Sequence, residues 1–171
     1  MSMINSVLKT ADKIFNFKVA YAHCDVPCGI YDPHMAQMAA HTVIRMVDLI
    51  KKLQTEKHDD HEHGEEHIHA LARHTAVKEH HAELCKHEIR ILWGDYFKPE
   101  HVEKFPELHS LVWKVMKLGS KSKQEINLPA AEELLDTVNR IAEIFWKTKS
   151  VETVKRKSFY PTERDIVLPK V

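Results

Sequence analysis

The stretch Asp32–Leu53, DPHMAQMAAHTVIRMVDLIKKL, decides the fold. Asp32 is a helix N-cap, and Pro33 brings the preset φ of a first helical position. Behind them Met35, Ala39, Thr42, Met46, Leu49 and Leu53 alternate spacings of four and three. That is the seam of a helix in a bundle. Three more amphipathic segments follow. One runs from about Ile68 to Leu92 with Leu71, Val77, Leu84, Cys85, Ile89 and Leu92 as its core, ended by Gly94 and Pro99. The next opens near Pro106, carries Leu108, Leu111, Val112, Val115 and Met116, and ends at Gly119. The last opens at Pro129 with Leu134, Val138, Ile141 and Phe145 on one stripe. The tail from Ser150, with Pro161 and Pro169, reads as extended. Short connections between four such helices predict an all-α fold, an antiparallel up-down four-helix bundle.

Composition narrows the function. The 171 residues suit one domain, and 43% apolar with 29% charged residues excludes a disordered chain. Twenty-five basic residues balance twenty-five acidic ones, which argues against a nucleic-acid partner. No run of 18 uncharged apolar residues occurs, so no helix is expected to span a membrane. Four glycines leave no phosphate-binding loop. Three cysteines do not make a disulfide scaffold, and fourteen histidines point to metal chemistry.

Residues 1–22 differ from the rest. They hold Lys9, Lys13 and Lys18 against Asp12, and their removal leaves 22 basic and 24 acidic residues. Lys9, Asp12, Lys13 and Lys18 interrupt any signal-peptide core, and the lack of Arg weakens a transit peptide. The segment ends in Ala20-Tyr21-Ala22, a small-x-small pattern. On these residues alone, a removable pro-segment and an extra amphipathic helix stand level.

His23-Cys24-Asp25-Val26-Pro27-Cys28-Gly29 shifts that balance. If the chain is cut between Ala22 and His23, the freed His23 amine and the Cys24 amide nitrogen grip one metal in a five-membered ring. The Cys24 thiolate closes a second ring. Cys28 reaches back across the Pro27 turn with a second thiolate, and the His23 imidazole approaches axially. A planar N₂S₂ set suits Ni(II) or Cu(II), whereas structural zinc prefers a tetrahedron. Without cleavage the first ligand is missing. A C-x₃-C pair by itself also fits two buried thiols; the cut site immediately before His23 favours the metal reading. Gly29 can take a positive φ, and Asp25 either orders the hook or caps its turn.

His23–Pro33, HCDVPCGIYDP, resembles the N-terminal nickel hook of nickel-containing superoxide dismutases. Ile91–His101, ILWGDYFKPEH, resembles the family segment beside the hook. Phe105–His109 (FPELH) and Ala131–Lys149 (AEELL…IFWKTK) resemble its third and fourth helices. The resemblance runs collinearly over most of residues 23–149. It implies the four-helix bundle with an N-terminal hook, a homohexamer, one nickel ion per subunit, and a leader removed by a dedicated peptidase. It also implies disproportionation of superoxide to dioxygen and hydrogen peroxide by Ni(II)/Ni(III) cycling, an antioxidant activity. His23, Cys24 and Cys28 are then the metal ligands, with Asp25 and Pro27 supporting them. Tyr31, Tyr96 and Lys98 act around the metal, the tyrosines by positioning solvent or superoxide and Lys98 by attracting the anion. Packing for the tyrosines, and simple solvation for Lys98, are the plainer readings. The chain departs from the family at Ala39 and His81, which stand where well-known members carry a glutamate and an arginine behind the axial histidine.

The stretch 58–69, HDDHEHGEEHIH, places His58, His61, His63, His67 and His69 among five acids. It reads first as a solvated connection and second as a nickel reservoir. The second reading makes the alternative function, a nickel storage or delivery protein. Cys85 reads as a buried, inert thiol, and Trp93, Trp113 and Trp146 as core or subunit interface. Free thiolates favour the cytoplasm, with an organelle as second choice.

Overall fold

His34 donates its backbone N–H to Asp32 Oδ1 at 2.7 Å, so the first long helix, α1 (His34–Thr55), starts at the predicted cap. The computed structural model describes residues 28–55 and 64–170. The buried stripe of α1 is Ala36, Ala39, Ala40, Val43, Ile44, Val47 and Ile50. It is turned by one residue from the predicted seam, of which only Ala39 is buried and Met35 is 49% exposed. The seam followed a four-and-three spacing that the neighbouring face also satisfies, whereas the contact is made by alanines and β-branched residues that bring backbones close.

The second helix, α2 (Gly64–Ile91), begins four residues before Ile68 and so takes His67 and His69 out of the loop. Glu65 and Glu66 occupy its first turn, where the helix dipole favours acids. Cys85, Ile89 and Leu92 are buried as predicted, while Leu71, Val77 and Leu84 are half-buried. Gly94 does not end the helix. It lies in a π-helical turn, Leu92–Tyr96, closed by Phe97 N–H on Leu92 O at 3.0 Å. This wider turn lays Tyr96 and Phe97 against the core. A short helix, α3 (Pro99–Lys104), follows.

The helix α4 (Leu108–Gln124) continues past Gly119. There the glycine serves helix packing: a Cβ would lie 2.7 Å from Lys86 Cγ on α2. Just beyond, the buried Lys78 ammonium donates to the carbonyls of Ser122 (2.7 Å), Lys123 (2.9 Å) and Glu125 (2.9 Å). It thereby satisfies the α4 C-terminus. The helix α5 (Leu128–Thr148) is capped by Asn127, whose Oδ1 accepts from Ala130 N–H at 3.0 Å. Leu134, Val138, Ile141 and Phe145 are fully buried on its one stripe. α1 packs on α2, α2 on α4, α4 on α5, and α5 returns to α1, which closes the four-helix bundle.

The tail is extended and also paired. β1 (Thr153–Lys157) and β2 (Asp165–Pro169) form an antiparallel hairpin with Thr153 opposite Pro169 and Lys157 opposite Asp165. Ile166 and Val167 are buried, and Gln37, His41 and Asn139 on the bundle bond to this segment. No helix among the described residues is long and apolar enough to cross a membrane.

Candidate metal centre

The described part of the hook begins at Cys28. Its thiol is exposed, and Sγ accepts the Ile30 N–H at 3.4 Å. Gly29 makes that return with φ 73°, a conformation L side chains rarely adopt. The exposed sulfur is thus oriented by its own turn and open to a ligand from solvent. Cys28 therefore fits a soft metal ion. His23, Cys24, Asp25, Pro27 and the Ala22–His23 junction lie outside the described residues, as do His58, His61 and His63. Among the described residues no group of three or more His, Cys, Asp or Glu side chains could hold a metal.

Tyr31 leads from the hook into the bundle. Its ring centroid lies 5.5 Å from that of Tyr96, at an interplanar angle of 52°. Both rings are half-buried against the core. Tyr96 also contacts Phe145 (4.6 Å between centroids), Phe97 (5.2 Å) and His101, stacked at 5.8 Å. The two predicted tyrosines thus meet at one end of the bundle. Lys98 stands apart from them in an exposed segment. Its carbonyl accepts His101 N–H at 2.9 Å, and it borders an open cavity of about 540 Å³ shared with Trp93, Phe97 and His109.

Two neighbours were missed in the sequence. The Tyr96 hydroxyl lies 2.6 Å from Thr148 Oγ1, and the Lys149 ammonium lies 5.4 Å above the Tyr96 ring. The available signal was spacing, since Thr148 stands three residues beyond Phe145, the last residue of the α5 stripe.

Ala39 is buried in the core, and His81 is half-buried with Nδ1 2.9 Å from Val77 O. Cys85 is fully enclosed, and burial pushes its thiol pKa up to about 12, so it is inert as expected. Trp93 and Trp113 are exposed on this chain, while Trp146 is half-buried. Neither exposed tryptophan belongs to the monomer core.

Residues 18–149 match the family model for nickel-containing superoxide dismutase. The chain belongs to that family. It is 42% identical over 128 residues to a nickel superoxide dismutase of Streptomyces coelicolor, covering 75% of this chain and 88% of the relative. The corresponding enzyme of Streptomyces seoulensis is 40% identical over the same length and the same shares. Among solved structures, a native nickel superoxide dismutase superposes with a TM-score of 0.63 at 40% identity, covering 74% of this chain and 99% of that one. One with nickel ligation of the oxidised state gives 0.64 at 39%, covering 75% and 99%. Within this nickel-containing superoxide dismutase, the hairpin after Lys149 lies beyond the matched residues.

Proposed function

We propose that this chain is a superoxide dismutase whose nickel is held at the N-terminal hook. The observation that carries the reading is the family match, which spans the hook and the whole bundle without interruption. Bound nickel would supply the electron acceptor, as Ni(III), for one superoxide and the electron donor, as Ni(II), for the next. The rest is the work of this chain's residues. His23, Cys24 and Cys28 would hold the ion through two nitrogens and two thiolates, and the His23 imidazole would be a further donor. The two thiolates and the amide donate strongly and bring the potential into range. Asp25 and Pro27 hold the hook turn. Tyr31 and Tyr96 form an aromatic wall that positions substrate and solvent, and the Lys98 charge favours approach of the anion.

The ligand set requires a free amine at His23, so residues 1–22 are a leader that a dedicated peptidase removes before nickel is bound. The mature enzyme works as a homohexamer in the cytoplasm, an organelle being the second choice. Exposed Trp93 and Trp113 support burial between subunits. A storage or delivery role is not favoured: the family match and the relatives of 40–42% identity are nickel superoxide dismutases.

The deciding experiment compares the full chain with a form beginning at His23, each loaded with nickel. One nickel per subunit, a rhombic Ni(III) resonance with axial-nitrogen splitting, and superoxide decay in the cut form alone are expected. Several loosely held ions without turnover in the cut form would move the function to the His-rich stretch.

A further inference from the structure

We propose that Thr148 is a positioning residue that fixes the direction of the Tyr96 hydroxyl, so that Tyr96 faces the site as a hydrogen-bond acceptor and not as a proton donor. The inference rests on the dismutase reading for its catalytic meaning and on proton counting for its geometry. Thr148 Oγ1 carries one hydrogen and has two close neighbours: Phe145 O at 2.6 Å and the Tyr96 hydroxyl at 2.6 Å. A carbonyl has no hydrogen to give. If Thr148 turned its hydrogen to Tyr96, two bare oxygen lone pairs would face each other at 2.6 Å. The Thr148 hydrogen therefore goes to Phe145 O, and Tyr96 must donate to Thr148.

Helix termination makes the arrangement firm. α5 ends at Thr148, and the Lys149 N–H turns back to Trp146 O at 3.0 Å. Carbonyls in a last turn need outside partners, and a threonine hydroxyl three residues on is one. The ring of Tyr96 cannot swing to another acceptor, because Phe145, Phe97, His101 and Tyr31 pack around it. With its only hydrogen committed to Thr148, the Tyr96 hydroxyl keeps only lone pairs for a further partner, on a ring 5.5 Å from that of Tyr31. It then orients a donor, such as water, while the two protons of the peroxide arrive by way of solvent.

Two measurements test this. In the nickel-free protein, the tyrosine Fermi doublet in the Raman difference between wild type and Tyr96→Phe reports whether the missing phenol was a donor or an acceptor. A donor pattern is expected, and an acceptor pattern overturns the proposal. In the nickel-loaded enzyme, turnover per nickel is followed for Thr148→Val, Thr148→Ser, Tyr96→Phe and the Tyr96→Phe/Thr148→Val pair. Thr148→Val should lower turnover roughly three- to tenfold, as expected for a mispositioned partner. Thr148→Ser should restore it, and Thr148→Val should cost nothing further once Tyr96 is Phe. A full, multiplicative loss in the Tyr96→Phe background means that Thr148 acts only through the helix end, and sinks the proposal. Wild type loaded with one nickel yet lacking turnover sinks the dismutase reading instead, and the Raman difference still decides the hydroxyl's direction.

Discussion

Gln37 and Asn139, 102 residues apart in the chain, share a 2.9 Å hydrogen bond from Nε2 to Oδ1 inside the bundle wall. The same Gln37 nitrogen donates to Val167 O at 2.9 Å, and Asn139 Nδ2 donates to Asp165 O at 2.9 Å. Both side chains are buried, so the hairpin supplies acceptors that the bundle lacks. Gln37→Leu would leave Asn139 Oδ1 and the Val167 carbonyl short of a partner. We expect a loss of roughly 1–3 kcal/mol, the usual cost of an unpaired buried polar group. Urea unfolding should show a lower midpoint at unchanged slope, and amide exchange at Ile166 and Val167 should quicken. Unchanged exchange would mean that apolar packing of Ile166 and Val167 holds the hairpin by itself.

His41 makes stability depend on pH. Its Nδ1 lies 2.8 Å from Thr162 Oγ1, its ring stands edge-on to Tyr160 at 5.0 Å, and its Nε2 is buried without a partner. Burial, against a smaller opposing effect of the Asp165 backbone, pulls the pKa from 6.5 to about 4. Between those values the unfolded chain binds a proton that the folded chain refuses. Stability is therefore full above the unfolded pKa, falls as the pH drops toward 4, and levels off below it. The span is on the order of 2–3 kcal/mol. His41→Phe should flatten this part of a chemical-denaturation profile taken from pH to pH. A wild-type slope that survives in the variant would assign the effect to other groups.

Lys78 is buried because all three of its ammonium hydrogens find carbonyls at the end of α4. Burial lowers its pKa from the ordinary lysine value. Lys78→Met keeps the stem and removes the donors. The deserted carbonyls should cost roughly 2–4 kcal/mol, and the amides of the last α4 turn should exchange faster. Equal stability of the variant in urea would show that water replaces the ammonium there.

Local chemistry was legible in the sequence, and long-range chemistry was not. Asp32 and the α5 stripe of Leu134, Val138, Ile141 and Phe145 rest on spacing within one helix, and the structure places them as read. The α1 seam missed because a four-and-three spacing fits the neighbouring face as well, and close packing ran through Ala36 and Ala40. Gly119 looked like a helix end, since a crossing by Lys86 leaves no trace in the α4 sequence. The hairpin escaped because its partners, Gln37 and Asn139, look like surface residues until both are seen together. In the site, the hook reading rests on proposed donors that are neighbours in the chain, of which Cys28 lies among the described residues. Thr148 is not legible, because its role depends on a tyrosine 52 residues away.

Cys28 and Cys85 should differ sharply toward an alkylating agent. Thiolates are alkylated, thiols hardly at all. Cys85 is fully enclosed and its pKa is pushed to about 12, so it should stay unmodified in the folded protein. Cys28 is exposed, so iodoacetamide should mark it in the nickel-free protein. If Cys28 is a nickel ligand, loading the His23-started form should protect it, and Cys28→Ser should lose both tight nickel and turnover. Mass mapping of peptides with and without metal reads the first part, and metal analysis after dialysis reads the second. Labelling of Cys28 that is indifferent to bound nickel would remove it from the ligand set, whatever the activity of the enzyme. Labelling of Cys85 before Cys28 would instead show that the bundle opens near Ala82 and Ile89 more readily than its full burial there implies.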